Sequence, residues 1–452
     1  MYRIILIVIF SLALFGCDVE PKNKQCATSS QISQVSFKRQ MDNVLRYDIS
    51  YQLSDSLESF IKFWETDNPS NSKFIKVSSG REANTTLYGV KANTEYKLQI
   101  VFGKECENGS DIISFKTGNL PYKELKNFEL TKNGNEFNGH IMFHQSVGTK
   151  GQLHVIVDDE SQVVWYQYSN KAVNTFSWTK DRTIVALLNK DQLIEVDLFG
   201  NEKFSLKFGE KGFDKKMHHE IQKDDAGHIY GLTYENKVLN EEERSKYGVD
   251  TLRCDGILVF DSVGNKFWEW SMFQVEMPPL NSLTKKAPND WGHANALYDD
   301  KKGNYLISFR NFSQIWSVNK KDGGINWKFG ENSNFIFEPE DVFHVQHAVH
   351  INKNGNMMLF DNGDRKRGVS RALSFNVDAE NNHYEKNLDV RLPKEFYSSK
   401  KGNAQLISDE YVMFNSTMAS TITVSKINDS TIWVLKLPQA TYRAEHIDNL
   451  YD

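Results

Sequence analysis

The chain of 452 residues is poor in the features that mark several protein classes. It has 4 cysteines and no Cys-x-x-Cys spacing, which argues against a zinc site built on cysteines. Its formal net charge is −5, so it lacks the basic excess of a protein that binds nucleic acid. It has only 9 prolines, no low-complexity tract and no run of coiled-coil heptads. What remains is a chain long enough for two or three domains, whose 12% aromatic content favours an all-β protein.

The N-terminal segment has the composition of a targeting signal. Arg3 supplies a positive charge, and residues 4–15 form an apolar run that is too short for an ordinary transmembrane helix. Residues 14–17 read LFGC, which resembles a bacterial lipobox and implies cleavage before Cys17 and lipidation of its thiol. A plain signal peptide cut nearby is the alternative. We predict a lipoprotein signal peptide at 1–17, a polar tether at 18–32, and an exported protein anchored to a membrane and facing the periplasm or cell surface.

Three cysteines are left once Cys17 is set aside, namely Cys26, Cys106 and Cys254. Export permits disulfides, and an odd number leaves at least one thiol unpaired within the chain. A bridge between Cys26 and Cys106 is compatible with the sequence but is not fixed by it.

Residues 33–118 are predicted to form a small β-sandwich. The segments 47–51 and 60–64 alternate apolar and polar side chains as strands do. Leu87 and Tyr96 resemble the fibronectin type III or immunoglobulin-like signature, with Tyr96 in the tyrosine-corner position. We interpret this part as a structural cap on the larger C-terminal part of the chain; a binding or spacing module is the alternative.

From residue 119 to 452 the sequence repeats a pattern typical of β-propeller blades. An apolar strand is followed by a turn with Asp, Asn or Gly and, in most cases, by a strand bearing Trp or Phe. The pattern occurs six times, at 155–166, 193–204, 257–270, 315–327, 372–378 and 422–434. We therefore predict a six-bladed β-propeller. The first blade lacks a full inner hairpin, and either residues 138–143 or the C-terminal segment around Arg443 is expected to complete it.

Three predicted inner strands carry a histidine ahead of a glycine turn. His347 lies in a predicted strand over 343–351, and it precedes Gly355 by eight residues, as His219 precedes Gly227. His293 precedes its turn glycine by ten residues. Because the innermost strand of each blade lines the central channel, the three imidazoles are expected to converge there.

Histidine and arginine together favour a site for an anionic group. Arg310 belongs to the same predicted hairpin as His293. Arginine holds oxyanions in a planar fork, and histidine can be a nucleophile, acid or base near neutral pH. A funnel of such residues with few carboxylates suits sulfate or phosphate. Zinc held by three histidines is the alternative, but the neighbouring cation argues against it, and we expect no metal.

Ordered motifs from about residue 120 to the end resemble the bacterial arylsulfate sulfotransferase family, which does not use the nucleotide sulfate donor. They are MHHE at 217–220, WGHAN at 291–295, LISFRN at 306–311, VQH at 345–347, FDNG at 360–363, SRA at 370–372 and YRA at 442–444. The resemblance implies a six-bladed propeller behind a β-sandwich, and no cofactor. It implies transfer of a sulfuryl group from a phenolic sulfate ester to a phenol, with His347 transiently sulfated.

The same resemblance implies roles for further residues. His293 and Arg310 match residues that hold the sulfuryl oxygens, and one histidine of the pair at 218–219 matches a sulfate-site or proton-transfer residue. We prefer His219 for that role. The remaining residues predicted to bind substrate are His218, Asn295 and Arg371.

Two other classes of function stay open. One is a non-enzymatic propeller that binds an anionic or sulfated ligand, and the other is a metal-dependent hydrolase or lyase using the same histidines. Glu220 stands where the family more often has aspartate, and residues 237–253 and 277–290 resemble loop insertions. The natural donor and acceptor and the oligomeric state, a homodimer included, therefore stay open.

The lipobox can be tested by replacing Cys17 with alanine. Without the thiol that receives the lipid, the protein should be soluble in the periplasm or should stay uncleaved, as seen by cell fractionation and immunoblotting. A Cys17→Ala variant that is processed and still fractionates with membranes would show that something else anchors the protein.

Overall fold

The computed structural model describes residues 31–105, 108–134, 137–148, 151–279 and 290–451. Cys17, Cys26 and Cys106 lie outside the described residues, so the lipobox and the disulfide stay predictions. Cys254 is a buried free thiol whose pKa is raised by burial. In the part of the chain that the structure describes, no helix is long and apolar enough to cross a membrane.

The N-terminal part forms a five-stranded antiparallel sheet in which two long strands serve both halves. The strands are β1 (Ile32–Arg39), β2 (Tyr47–Glu65), β3 (Lys73–Leu87), β4 (Glu95–Val101) and β5 (Ile113–Lys116). The first half of β2 pairs with β1 and the end of β3, and its second half pairs with the start of β3 and with β4. The Tyr96 hydroxyl accepts a hydrogen bond from the Lys91 backbone N–H at 3.0 Å, the contact expected of a tyrosine corner. The sandwich and its boundaries at 33 and 118 stay predictions.

The rest of the chain forms the six antiparallel sheets of a β-propeller, as the repeated pattern predicts. The first strand of each blade packs against the first strand of the next, around a central channel. The propeller begins with β6 (Glu129–Lys132), β7 (His140–Val147), β8 (Gly151–Val157) and β9 (Val163–Ser169). Blade 2 consists of β10 (Val173–Trp178), β11 (Thr183–Leu188), β12 (Gln192–Asp197) and β13 (Glu202–Lys207).

The remaining blades are arranged in chain order. Blade 3 consists of β14 (Met217–Lys223), β15 (Ile229–Val238), β16 (Thr251–Phe260) and β17 (Lys266–Ser271). Blade 4 consists of β18 (Ala294–Asp299), β19 (Asn304–Phe309), β20 (Gln314–Asn319) and β21 (Ile325–Gly330). Blade 5 consists of β22 (His347–Ile351), β23 (Met357–Asp361), β24 (Arg371–Asp378) and β25 (His383–Arg391). Blade 6 consists of β26 (Asn403–Leu406), β27 (Tyr411–Ser416), β28 (Thr421–Lys426) and β29 (Thr431–Lys436), and the last strand is β30 (Ala444–Ile447).

Blade 1 is built from both segments that the sequence offers for it. The order of its strands is β30, β7, β8 and β9, so the C-terminal segment supplies the innermost strand. Residues 444–447 of β30 pair with residues 143–140 of β7. In return, β6 adds a fifth strand to the outside of blade 6. The two ends of the propeller are thus tied into neighbouring blades, which closes the ring.

Buried tryptophans in the outer strands connect one blade to the next. The indole N–H of Trp165 in blade 1 donates to the Leu198 carbonyl in an outer turn of blade 2, at 2.8 Å. Trp270 in blade 3 and Trp433 in blade 6 donate in the same way to turn carbonyls of the following blades, at 2.9 and 2.8 Å. A buried indole needs such a partner, so the repeated tryptophan both fills the gap between blades and fixes their relative position.

The connection between β15 and β16 contains the one α-helix of the described residues, α1 (Glu241–Tyr247). We predict a loop insertion here, and the helix is missed. Its ends carry ordinary signals: Asn240 and Glu243 form a reciprocal capping box, and Gly248 ends the helix with a φ of 69°.

The strand predicted over 343–351 is shorter in the structure, because β22 begins at His347. Val345 and Ala348 have φ values of +59° and +56°, and the pairing with β23 shifts between His347 and His350. Left-handed residues interrupt the alternation of side chains along a strand. Side chains of residues 343–351 therefore do not alternate between two faces as they would along one regular strand.

Closure of the ring can be tested at Asn403, which is 5% exposed and holds the start of β30. Its amide donates to the Ala444 carbonyl at 2.7 Å and accepts from the Ala444 N–H at 3.1 Å. Asn403→Ala leaves both buried backbone groups without these partners, so the free energy of unfolding should fall by about 1–3 kcal/mol in a urea titration. Asn170→Ala, at an exposed position, is the control, and an equal loss in both variants would contradict this account.

Candidate active site

Histidines from blades 3, 4 and 5 meet at one end of the central channel. The ring centroids of His219 and His293 are 5.2 Å apart, and the Tyr442 ring is 6.1 Å from that of His219. Burial lowers the pKa of His219 well below its usual value, and the nearby His218, His293, His347 and Arg443 lower it further. The structure therefore brings together the histidines that the sequence singles out, while their roles stay predictions.

The inner strands that carry these histidines are bulged, and the bulges do not share one register. His219 and His293 have φ values of +56° and +51°. The ladder shifts between His218 and Ile221 in β14, between Ala294 and Ala296 in β18, and between His347 and His350 in β22. The last paired residue before each shift is His218, Ala294 and His347, respectively. The predicted shared phase of His219 and His347 is therefore wrong, because the intervening bulges differ.

Backbone groups fix the tautomer of His347. Its Nδ1 lies 3.0 Å from the Val345 carbonyl oxygen, which can only accept, so Nδ1 carries the proton. Nδ1 also donates to Asn362 Oδ1 at 2.7 Å. Nε2 accepts a hydrogen bond from the Lys401 N–H at 3.2 Å, so Nε2 carries a lone pair. The imidazole is thus held with Nε2 unprotonated.

Asn362 is itself held in one orientation. Its Nδ2 donates to the carbonyls of Ser398 and Lys401 at 2.7 and 2.8 Å, which turns Oδ1 toward His347.

Burial lowers the pKa of His347 to about 3, although the hydrogen bond to Asn362 acts in the opposite direction. The positive charges of Arg443 and Arg310 lower it further. His347 is therefore a neutral imidazole at physiological pH.

The neighbouring histidines of β14 face different ways. Their Nδ1 atoms are 2.7 Å apart, so one donates to the other. His218 is buried, stacks on Tyr234 at 4.1 Å and has Nε2 3.4 Å from Asp255 Oδ1. His219 is partly exposed and faces His293 and Tyr442. His219 therefore faces the channel, and His218 supports it from behind.

His293 and Arg310 form the part of the site contributed by blade 4. His293 Nδ1 is 2.7 Å from Asp290 Oδ2. Arg310 follows β19 directly, and its backbone N–H donates to the His293 carbonyl at 3.2 Å. Burial lowers the pKa of the Arg310 guanidinium, while Asp290 opposes this. The Arg310 side chain is partly exposed.

Asn295 and Arg371 are placed differently from each other. Asn295 is fully buried and donates to the Gln346 carbonyl at 2.8 Å, while its Oδ1 has no partner among the described residues. The three guanidinium nitrogens of Arg371 donate to Asp361, Asp389 and the Val342 carbonyl at 2.9, 2.9 and 3.0 Å. These contacts secure the end of β23, next to Asn362. The substrate-binding role of Arg371 stays a prediction that its contacts do not favour.

Sequence reasoning missed a buried ion pair beside the histidines. Arg443, just before β30, donates to Glu220 in β14, and its Nη2 also lies 3.3 Å from the Asn295 carbonyl oxygen. Burial raises the pKa of Glu220 to about 7, against the opposing effect of Arg443, and raises that of Asp255 to about 7 as well. The expectation of few carboxylates is therefore wrong. Both partners lie in family motifs, MHHE and YRA, but nothing in the sequence pairs them.

Comparison with known protein families assigns the chain to one of them. A family model described as arylsulfotransferase (ASST) matches residues 127–445, which spans all six blades. The chain belongs to the arylsulfotransferase family. Membership implies an aryl-sulfate sulfotransferase that acts on phenolic substrates. The comparison with curated proteins finds no match.

Solved structures similar to this arylsulfotransferase are remote. A virginiamycin B lyase from Staphylococcus aureus with quinupristin is 9% identical, with 69% of this chain and 99% of that chain covered and a TM-score of 0.35. The Cps50 (Swd1) β-propeller domain of Myceliophteria thermophila is 12% identical, with 69% and 90% covered and a TM-score of 0.38. A functionally unknown protein from Desulfotomaculum acetoxidans is 8% identical, with 92% and 99% covered and a TM-score of 0.36. Likenesses this weak carry no argument about the reaction.

The geometry around the arylsulfotransferase's histidines can also be compared with that of a metal centre. Within the described ranges, no group of three or more His, Cys, Asp or Glu side chains is arranged to hold a metal ion. The imidazoles instead have separate partners: His293 contacts Asp290, His218 contacts His219, and His347 contacts Asn362.

The tautomer of His347 can be tested by ¹⁵N NMR of protein labelled at histidine. The signal lost in His347→Asn should show a proton on Nδ1 and none on Nε2, and should not titrate between pH 7 and 5, because burial holds its pKa near 3. In Asn362→Ala, loss of one Nδ1 acceptor should introduce some of the Nε2–H tautomer. A wild-type titration midpoint near the ordinary value of about 6.5 would contradict this prediction.

Proposed function

We propose that the enzyme moves a sulfuryl group from a phenolic sulfate ester to a phenolic acceptor through a sulfo-histidine on His347. The observation that carries this proposal is the pair of backbone contacts that keep a lone pair on His347 Nε2. A neutral, buried imidazole beside arginines is a competent nucleophile for an anionic ester, because it has no proton to lose before attack.

In the first half-reaction the Nε2 lone pair forms a bond to sulfur. The bond between sulfur and the aryl oxygen breaks, and its electron pair leaves with the phenolate, which then takes up a proton. We assign His219 as the proton donor, since it faces the channel and exchanges a hydrogen bond with His218. Its pKa is low in the empty site, but a bound sulfate ester brings a negative charge that favours the imidazolium.

In the second half-reaction the hydroxyl oxygen of the acceptor phenol attacks sulfur. The N–S bond breaks, Nε2 recovers its lone pair, and the phenol proton passes to His219. The proton given to the first phenolate is thus replaced, and the two half-reactions together consume no acid or base. Dividing one displacement into two in this way lets donor and acceptor use the same position in turn.

Stabilisation of the transferring group is assigned to the cationic and backbone donors around His347. The sulfuryl oxygens carry negative charge, and we assign Arg310, whose charge acts on His347, and His293 to hold them through a planar fork and a ring N–H. The Lys401 N–H is also available, because it loses its acceptor when Nε2 bonds to sulfur. Fixed donors in a buried site stabilise charge without reorganisation.

We also propose that the enzyme acts outside the cytoplasm as a lipoprotein, on the strength of Arg3, the apolar run at 4–15 and Cys17. Its substrates would then be phenols and sulfate esters that reach the periplasm or the cell surface.

Replacing the nucleophile tests the mechanism. His347→Asn keeps a similar size but removes the attacking nitrogen, so turnover of 4-nitrophenyl sulfate with phenol should fall by several orders of magnitude, as on removal of other covalent nucleophiles. Incubation of the wild-type protein with donor alone should add one sulfuryl group to the peptide that contains His347, as detected by mass spectrometry. His383→Asn, on an exposed face of blade 5, should leave both results unchanged. Label on a peptide without His347, or full turnover in His347→Asn, would refute the assignment.

A further inference from the structure

We infer that Arg443 is a second anion-binding arginine, which forms the floor of the sulfuryl site opposite the partly exposed Arg310. This inference rests on the proposed sulfuryl site and adds a binding residue to it. Arg443 lies directly before the strand that closes the propeller, and the Asn403 amide holds the adjacent Ala444 in place. The backbone therefore presents the Arg443 side chain to the channel from a fixed point.

The position of Arg443 along the channel is defined by its neighbours. It is 6% exposed, and its charge acts on His219 and His347 on one side. On the other side it lines a cavity of about 330 Å³ with Glu220, Glu445 and Gln222, a cavity whose lining does not include His219, His293 or His347. Arg443 thus stands between the histidine cluster and the far half of the channel, where it forms the base of the cluster.

The guanidinium of Arg443 has an N–H group that is not hydrogen-bonded within the described part of the protein. Nη2 contacts Glu220 and the Asn295 carbonyl, whereas Nε is buried and has no hydrogen-bond partner among the described residues. Arg371 provides a comparison within the same propeller, since all three of its nitrogens are bonded to Asp361, Asp389 and Val342. A buried N–H without a partner is costly, and an arriving oxyanion removes that cost. The contacts therefore favour Arg443 over Arg371 as the arginine that meets the substrate.

Charge near Arg443 agrees with this assignment. Glu220 is its direct counter-ion, and Glu445 accepts a hydrogen bond from the Trp178 N–H at 2.7 Å on the cavity side. Burial favours the protonated form of both carboxyls, with the pKa of Glu220 raised to about 7 and that of Glu445 to about 8. A carboxyl that is protonated part of the time leaves the guanidinium partly uncompensated. An anion held between Arg310 and Arg443 would restore the balance, and its sulfur would then be near His347.

The test measures binding of inorganic sulfate to the full chain by titration calorimetry, so it does not depend on turnover. Arg443→Gln should weaken sulfate binding at least tenfold. Glu220→Gln removes the competing carboxylate and should leave the affinity equal or higher. The double variant Arg443→Gln/Glu220→Gln removes both charges together, so it should recover thermal stability relative to Arg443→Gln while sulfate binding stays weak.

A merely structural ion pair predicts a different pattern. It would make Glu220→Gln lose affinity in parallel with Arg443→Gln, and would let the double variant bind sulfate like the wild type; either result overturns the inference. Absence of sulfate binding in the wild type would overturn it as well. If sulfate binds with the expected dependence on Arg443 but 4-nitrophenyl sulfate is not turned over, the anion site stands and the proposed transfer reaction fails.

Discussion

The ladder between β30 and β7 is the contact on which the geometry of the channel depends. It places the C-terminal strand at the centre of blade 1, although the rest of that blade comes from the start of the propeller. Arg443 lies one residue before this ladder and pairs with Glu220, which belongs to blade 3. Docking of β30 therefore both closes the ring and positions Arg443 beside the histidine cluster. A chain whose last strand does not dock lacks both the innermost strand of blade 1 and the cation beside His347.

Burial, more than any single charge, sets the protonation states in this channel. It is the largest cause of the lowered pKa values of His218 and His347 and of the raised values of Glu220 and Asp255. All four shifts favour the neutral form, because charge is expensive where water is scarce. The ligand-free site therefore holds the positive charges of Arg310 and Arg443 and the Asp290 carboxylate, while His218 and His347 are neutral. An anionic ester fits such a site, and its arrival would favour the imidazolium of His219, which is neutral without it.

The fold was more predictable than the site, for a physical reason. Blades repeat a local pattern of strand, turn and strand, and buried tryptophans such as Trp165 and Trp433 recur because each blade must fix itself to the next. Periodicity therefore predicts the six blades, and it also predicts that histidines of the inner strands approach one axis. A bulge, however, adds a residue without leaving a periodic trace, so the offset between His219 and His347 could not be seen.

Contacts between distant segments were out of reach for the same kind of reason. Arg443 and Glu220 are 223 positions apart in the chain, and only the closed ring brings them together. Asn362 lies 15 positions after His347, within a motif that the sequence did single out, yet its orientation depends on carbonyls of Ser398 and Lys401 in the connection to blade 6. A single sequence shows such residues but not the partners that give them a role. Helix α1 was missed for another reason. Its capping box can be read from the sequence, but the helix has no buried residue and therefore lacks the apolar periodicity that marks most helices.

The strained backbone beside His347 connects the fold to the chemistry. Histidine is among the residues that adopt a left-handed conformation more readily, as His219 and His293 do, but a β-branched residue such as Val345 does so rarely. The Val345 carbonyl is the group that accepts from His347 Nδ1 and so fixes the tautomer. Strain of this kind persists only where the surrounding structure over-determines it. Here the shifted pairing of β22 with β23, together with Asn362 and Lys401, holds the imidazole from three directions. Relaxing Val345 to an extended conformation would turn its carbonyl away and leave only Asn362 and Lys401 to keep the lone pair on Nε2. The departure from regular strand geometry thus helps to keep a lone pair on Nε2, which the proposed attack on sulfur requires.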